Sequence, residues 1–267
     1  MINFTKMHGL GNDYVFVDCT DNKNYIPNPS SFSKIISHRN FGIGSDGLIL
    51  IENSAIADFK MRIFNNDGSE AEMCGNGIRC VGKFIYDNNL SNKTFLKIET
   101  LAGIKDLELK VRNNQVNSVS VCFGKYEILD EIELNILDKS FVINSVSVGN
   151  PHAVIFTNDL SGFKIEKYAS LIENHKKFPN KTNVEFVQII SPSHIKVKVW
   201  ERGSGLTLAC GTGACASTAI AFYKKFIYKN PTVELPGGFL QTYIDEKTNQ
   251  IYLSGPATTV YTGTYIN

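Results

Sequence analysis

Two cysteines stand in matching surroundings, Met73-Cys74-Gly75-Asn76-Gly77 and Ala209-Cys210-Gly211-Thr212-Gly213. Each follows a strand-like run and opens a helix-like run, so each thiol is expected at a helix N-terminus. There the positive end of the backbone dipole favours a thiolate. The same place offers amide hydrogens for which the helix supplies no acceptor, and these hold carboxylates well. A thiolate can remove a proton from the carbon beside a carboxylate, and a thiol can return one to the opposite face. Two such sites in one chain point to inversion of an anionic carbon acid. The obstacle is the weak acidity of an amino-acid α-proton. Two helix N-termini aimed at the carboxylate would hold the developing charge with preorganised donors, and closure of two domains would exclude water. The glycines after each cysteine permit close backbone approach, and Asn76 and Thr212 bring N–H groups of their own.

The elements that must position these thiols occur twice. Gly11-Asn12-Asp13 leading into Tyr14-Val15-Phe16-Val17 matches Gly149-Asn150-Pro151-His152 leading into Ala153-Val154-Ile155-Phe156, a shift of 138 residues. Asp58 to Asn65 matches His194 to Glu201, and Cys74 to Gly77 matches Cys210 to Gly213, both shifted by 136; Glu99 to Gly103 matches Glu234 to Gly238, shifted by 135. The constant order and shift imply two similar domains related by a pseudo-two-fold axis. A period this long is no solenoid repeat. Alternating segments such as Leu107 to Val111 and Lys196 to Trp200 read as strands, and Asn65-Asn66-Asp67-Gly68 and Pro236-Gly237-Gly238 read as turns. The helix after Cys210 is small or apolar almost all round, which predicts burial inside a curled sheet. The helix after Cys74 has Ile78, Val81 and Ile85 at helical spacing, and Lys164–Asn174 is a further helix candidate. Other strands are expected at Val116–Phe123, Ser140–Ser147, Val184–Ile190 and Gln250–Ser254. The expected architecture is α/β (α+β): two pseudo-symmetric domains, 1–115 and 116–255, each a mixed, nearly closed β-sheet around a central helix. The boundary is set at the polar turn Asn113–Asn117, and the segment 256–267 is expected to complete the first domain's sheet.

Composition narrows the function classes. The chain has 267 residues, 43% apolar and 20% charged, ample for buried cores. Its formal net charge of +1 gives no basic excess to draw it to nucleic acid or an anionic membrane surface. No apolar run reaches the length of a membrane span, and the first residues carry no apolar signal core. These features give the expectation of a cytoplasmic protein with neither nucleic-acid nor membrane partners.

Six cysteines, Cys19, Cys74, Cys80, Cys122, Cys210 and Cys215, are read as thiols rather than disulfides. Cys19, Cys80, Cys122 and Cys215 read as small buried hydrophobes. The Cys74/Cys80 and Cys210/Cys215 spacings lack zinc-ligand separation and no histidine cluster lies nearby, so no metal is expected. No glycine fingerprint for a nucleotide follows a strand, and nothing marks a Schiff-base lysine; no cofactor is expected. Asn12 and Asn150 taken alone are turn residues. His152 alone reads as a core histidine, Glu201-Arg202 as a surface pair, and Asn183 as the start of a strand.

Taken together in order, the segments Met7 to Asp13, Phe64 to Ser69, Met73 to Cys80, Gly149 to His152, Thr182 to Val184, Glu201 to Gly203 and Ala209 to Gly213 resemble the diaminopimelate epimerase family, from end to end of the chain. The resemblance implies cofactor-independent interconversion of LL- and meso-2,6-diaminopimelate, on the route to lysine and peptidoglycan, in a site between two similar α/β domains. It implies Cys74 and Cys210 as the acid/base thiols, with Cys74 donating and Cys210 accepting in one direction and the roles exchanged in reverse. His152 and Glu201 would tune their protonation. Gly75-Asn76 and Gly211-Thr212 would hold the reacting carboxylate. Asn12, Asn65, Asn150, Asn183, Glu201 and Arg202 would bind substrate, with Arg202 gripping the distal carboxylate through two bonds. The family also implies a homodimer. In one respect the chain departs from it: Gly47 stands where some members carry a substrate-contacting glutamine. The rival readings are a racemase of another amino acid, such as histidine, on the same scaffold, and a non-catalytic binding module or thiol redox sensor. Proline racemases resemble a Cys-Gly-His-Gly first motif, against which Asn76 argues, and a phenazine-pathway isomerase would lack the paired cysteines.

Overall fold

The computed structural model describes residues 1–21 and 24–266. The chain divides into two compact units, Met1–Val121 with Gly255–Asn267, and Cys122–Ser254. Unit 1 contains β1 (Ile2–Gly9), β2 (Asn12–Asp18), α1 (Pro29–Ser37), β3 (Gly47–Glu52), β4 (Phe59–Asn65), β5 (Glu70–Ala71), α2 (Gly75–Asp87), β6 (Phe95–Thr100), β7 (Gly103–Arg112), most of β8 (Gln115–Lys125) and the late strand β18 (Thr258–Tyr265). Unit 2 contains β9 (Glu127–Ile136), β10 (Lys139–Ser147), β11 (Pro151–Phe156), α3 (Ile165–Glu173), β12 (Asn183–Ser191), β13 (His194–Glu201), β14 (Gly205–Thr207), α4 (Gly211–Tyr223), β15 (Thr232–Leu235), β16 (Gly238–Asp245) and most of β17 (Gln250–Gly255). The protein is therefore mixed α/β, with strands predominating.

In unit 1, β18, β1 and β2 pair antiparallel in that order, β2 pairs parallel with β3, and β3 antiparallel with β4. Strand β4 takes the short β5 antiparallel and β6 parallel, after which β6, β7 and β8 follow antiparallel. Unit 2 has the same succession: β9, β10 and β11 antiparallel, β11 and β12 parallel, β12 and β13 antiparallel. Strand β13 then takes the short β14 antiparallel and β15 parallel, and β15, β16 and β17 follow antiparallel. The polar turn at Asn113 and Asn114, both with left-handed φ, is the β7–β8 hairpin and lies within unit 1. The contact division falls further along, between Val121 and Cys122.

The described strands belong to one 18-stranded sheet, and in each unit they carry one helix on each face, which explains their sequences. In β3 the run Leu48-Ile49-Leu50-Ile51 is buried throughout because both faces are covered. Leu48 and Leu50 pack with Ile36 of α1, whereas the Ile49 side chain meets the first turn of α2. In β12, Val184 and Phe186 pack with Tyr168 and Ile172 of α3, and the alternate residues Glu185 and Val187 occupy the opposite face. Helix α4 is buried on all sides, from Ala214 and Cys215 through Ala219 and Ala221. Its small side chains let β10, β11, β12, β13 and β16 close around it. A Thr218–Thr242 hydrogen bond of 2.8 Å satisfies hydroxyls inside that packing. No described helix is long and apolar enough to cross a membrane.

Candidate active site

Both predicted thiols are helix N-caps. Cys74 has extended backbone, φ −134° and ψ 118°, and its Sγ accepts from Gly77 N at 3.3 Å. Cys210 repeats this, with φ −125°, ψ 118° and Gly213 N at 3.4 Å. Sulfur thus does the work that a serine or aspartate oxygen usually does at an N-cap. The next two residues, Gly75-Asn76 and Gly211-Thr212, head α2 and α4. At those positions an α-helix supplies no carbonyl of its own for the amide hydrogens.

In unit 1 the Cys74 thiol donates to Asn12 Oδ1 at 3.2 Å, and the Tyr14 hydroxyl donates toward Sγ at 3.7 Å. The Asn12 amide is oriented from behind, because its Nδ2 donates to Asp46 Oδ2 at 2.8 Å. Asp46 also accepts from Asp13 N at 3.0 Å, and Arg39 Nη2 spans Asp13 and Asp46 at 2.9 Å each. Burial pushes the Asp13 carboxyl upward, but hydrogen bonds from Arg39 and Lys6 outweigh it and hold the group below its ordinary value. Burial, then the charge of Cys74, raise the Tyr14 hydroxyl well above its usual range, so it remains a donor. Asn76 turns its side chain inward, where Oδ1 accepts from the fully buried Arg79 at 2.9 Å. A cleft of about 390 Å³ lies beside this network, lined by Lys6, His8, Arg39 and Tyr261 among others, and includes neither cysteine. Its cations already face Asp13 and Asp46, so it has no charge left over to define an anion site.

In unit 2 the Cys210 thiol lies 3.4 Å from the Thr212 hydroxyl and is 5% exposed. Burial first, then the negative charges of Glu201 and Glu185, push it well above the ordinary thiol value. Hydrogen bonds from Thr212 and Gly213 N pull the other way without offsetting this. Cys210 therefore holds its proton at neutral pH in the substrate-free protein. His152 is buried, with Nδ1 2.7 Å from Glu185 Oε1 and Nε2 2.9 Å from Asn150 Oδ1. Glu201 ends β13, the strand beside β12.

The remaining predicted residues take different places. Asn183 is engaged at both ends of its amide: Nδ2 donates to Pro151 O and Oδ1 accepts from Arg202 N, both at 2.9 Å. It thereby anchors the exposed Arg202, whose guanidinium donates to Asn180 O at 3.1 Å. Asn65 closes the turn after β4 by donating to Ser69 Oγ at 3.0 Å. At Gly47 a Cβ would fall 2.2 Å from the Phe64 carbonyl oxygen, so this backbone admits no side chain there. Of the four cysteines read as buried hydrophobes, Cys80 and Cys215 are buried, but Cys19 and Cys122 are only partly so. Burial still pushes Cys19 and Cys80 up to about 12, which makes both inert as thiolates. Among the described residues, no group of three or more His, Cys, Asp and Glu side chains is arranged to hold a metal ion.

Three residues at the thiols were not singled out from sequence: Tyr14, Asp46 and Glu185. Glu185 left a usable trace, an acid at an inward position of an otherwise apolar strand. Asp46 sits in a glycine-rich turn where acids are common, and an aromatic such as Tyr14 in a strand looks like core.

Two units of one topology define a recognised fold. It is shared by a phenazine biosynthesis protein of the PhzF family from Bacillus anthracis, at a TM-score of 0.78 and 18% identity over 100% of this chain and 99% of that one. A probable proline racemase from Agrobacterium radiobacter K84 shares it at a TM-score of 0.73 and 13% identity, over 100% and 93% of the two chains. Within that fold the chain belongs to the diaminopimelate epimerase family, whose model matches residues 4–129 and 144–260. It is 51% identical to a diaminopimelate epimerase from Methanococcus maripaludis strain C5, over 98% of this chain and 99% of the relative. It is 46% identical to one from Agathobacter rectalis, over 98% of each.

Proposed function

We propose that the protein is an isomerase that interconverts LL- and meso-2,6-diaminopimelate, without a cofactor, by removing the α-proton to one cysteine and supplying a proton from the other. The observation that carries this reading is the pair of thiols capping corresponding helices in a member of this family. Each helix start offers amide hydrogens for the carboxylate of the reacting centre, where negative charge grows as the C–H bond breaks. One thiolate takes the proton from carbon and becomes a thiol. The other thiol gives its proton to the opposite face and becomes a thiolate, so one turnover exchanges the two states and conserves charge. In one direction Cys74 donates and Cys210 accepts, and in the reverse direction the roles are exchanged. Asn12, Asn65, Asn76, Asn150, Asn183, Glu201 and Arg202 contribute to binding, Asn183 by holding the Arg202 backbone, and His152 and Glu201 set the proton affinity around Cys210. We further propose that the enzyme works in the cytoplasm as a homodimer.

The deciding experiment follows α-proton exchange in deuterium oxide by NMR, using LL-diaminopimelate, reduced protein and no added cofactor. Deuterium uptake with appearance of the meso isomer, lost in both Cys74→Ala and Cys210→Ala, is the expected result. Exchange of histidine but not diaminopimelate would move the substrate and keep the chemistry. No exchange with any amino acid would sink the reading.

A further inference from the structure

Glu185 is fully buried in β12 and belongs to none of the motifs that mark the chain. Its Oε1 lies 2.7 Å from His152 Nδ1, so one hydrogen sits between them. His152 Nε2 lies 2.9 Å from Asn150 Oδ1, and an amide oxygen only accepts, so Nε2 carries a hydrogen too. The Glu185–His152 pair thus holds two hydrogens and is neutral as a unit, whether written as carboxylate with imidazolium or as acid with imidazole. The Asn150 oxygen is thereby occupied, and the amide NH2 becomes the end that Asn150 can offer. Packing keeps the carboxylate in place. A Cβ built on Gly213 would lie 2.9 Å from Glu185 Oε1 and 3.3 Å from Cys210 Cβ, so the acid is wedged against the first turn of α4. The charged and titratable groups facing it are His152 from β11, Glu201 from β13 and Cys210 from α4. Its second oxygen, Oε2, has no hydrogen-bond partner among the described residues.

We propose that Glu185 is a positioning residue that acts through His152 to fix the polarity of the Asn150 amide, presenting its NH2 as a donor to the anionic group of the substrate. This rests on the functional reading above. Unit 1 shows the opposite setting, since Asp46 takes the Asn12 NH2 and leaves the Asn12 oxygen for Cys74. One asparagine therefore accepts from a thiol, and its counterpart donates to substrate.

The test compares Glu185→Leu with Glu185→Gln. Glutamine can donate its amide N–H to Nδ1 and keep the hydrogen on Nε2; leucine fills the space but cannot. The expected result is that kcat/KM falls about 10- to 10²-fold in Glu185→Leu, the loss of one hydrogen bond to a charged group. The loss should be mainly in KM, with Glu185→Gln within a few-fold of wild type. In a cycle with Asn150→Ala, the double variant that combines it with Glu185→Leu should be no worse than the poorer single. Leucine performing as well as glutamine, or additive losses in the cycle, would overturn the proposal. NMR of ¹⁵N-labelled imidazoles in substrate-free wild type decides it without any variant: Nε2 of His152 is expected to be protonated, with an exchange-protected, downfield proton on the Glu185 link. A bare Nε2 would overturn it even if Glu185→Leu fails to fold. Failure of wild type to exchange diaminopimelate would instead refute the functional reading and leave the imidazole result standing.

Discussion

The two thiols share a helix cap and differ in what stands behind it. Around Cys74 the support is an ionic lattice, Asn12 to Asp46 to Arg39 and Asp13, whose Arg39 side chain is 61% exposed. Around Cys210 the support is a buried pair, His152 with Glu185, both side chains at 0% exposure. Burial and nearby acids hold the proton on Cys210, whereas Cys74 is surrounded by a donor hydroxyl and an acceptor amide. One topology therefore yields two different acid/base environments. A reaction that needs one thiol and one thiolate at a time requires such a difference, since identical thiols would have no reason to rest in opposite states.

The largest test of this asymmetry removes either sulfur. Cys74→Ala and Cys210→Ala should each lower turnover by at least about 10³-fold, within the range of a lost proton-transfer group. Single-turnover wash-out of α-deuterium should differ between them if the resting states differ; identical behaviour from both stereoisomers would break the comparison. A methyl group at the third helical residue separates the two packings. At Gly213 it meets the buried Glu185 oxygen at 2.9 Å, and at Gly77 it meets the ends of Ile49 and Met61, at 2.7 and 3.2 Å, which can swing aside. Gly213→Ala should cost about 1–3 kcal/mol, as overpacking does. Gly77→Ala should cost less than about 1 kcal/mol, because alanine's helix preference offsets part of the strain. Denaturant melts of both variants would show it, and a reversed order would contradict the wedged carboxylate.

The pH behaviour sharpens the contrast. Glu201 raises the proton affinity of Cys210, so Glu201→Gln should lower it and move Cys210 alkylation to lower pH. Peptide-resolved alkylation of substrate-free protein reads each cysteine separately, and a shift to higher pH would reverse the assignment. The smallest effect is expected from Tyr14→Phe, which deletes a long O–H···S contact. A loss of about 0.5–1.5 kcal/mol in transition-state stabilisation would appear as a several-fold fall in kcat/KM, confined to the step in which Cys74 moves a proton.

Much of this was legible in the sequence because it rests on local rules. The all-apolar run after Cys210 announced a buried helix, and the glycines around each cysteine announced helix starts. Asn12 and Asn150 entered as binding candidates only through the family resemblance, since each alone reads as an ordinary turn residue. The supports were harder to see. Asp46 reaches Asn12 from the far end of the loop after α1, and Glu185 reaches His152 across a parallel strand pair. Such partners are brought together by register, which no local pattern encodes. The unfavourable site for a side chain at Gly47 likewise depends on the neighbouring β4 carbonyl.

The late strand β18 gives the two halves unequal histories during synthesis. All of unit 2 lies within one continuous stretch, Cys122–Ser254. Unit 1 does not: β1 keeps an open edge until Thr258–Tyr265 arrives to pair with it. The Pro256 carbonyl that accepts from Arg79 of α2 arrives in the same stretch. The half whose first strand is made first is therefore the half completed last, because its sheet is still one strand short when the last residue of the Cys210 module has been made.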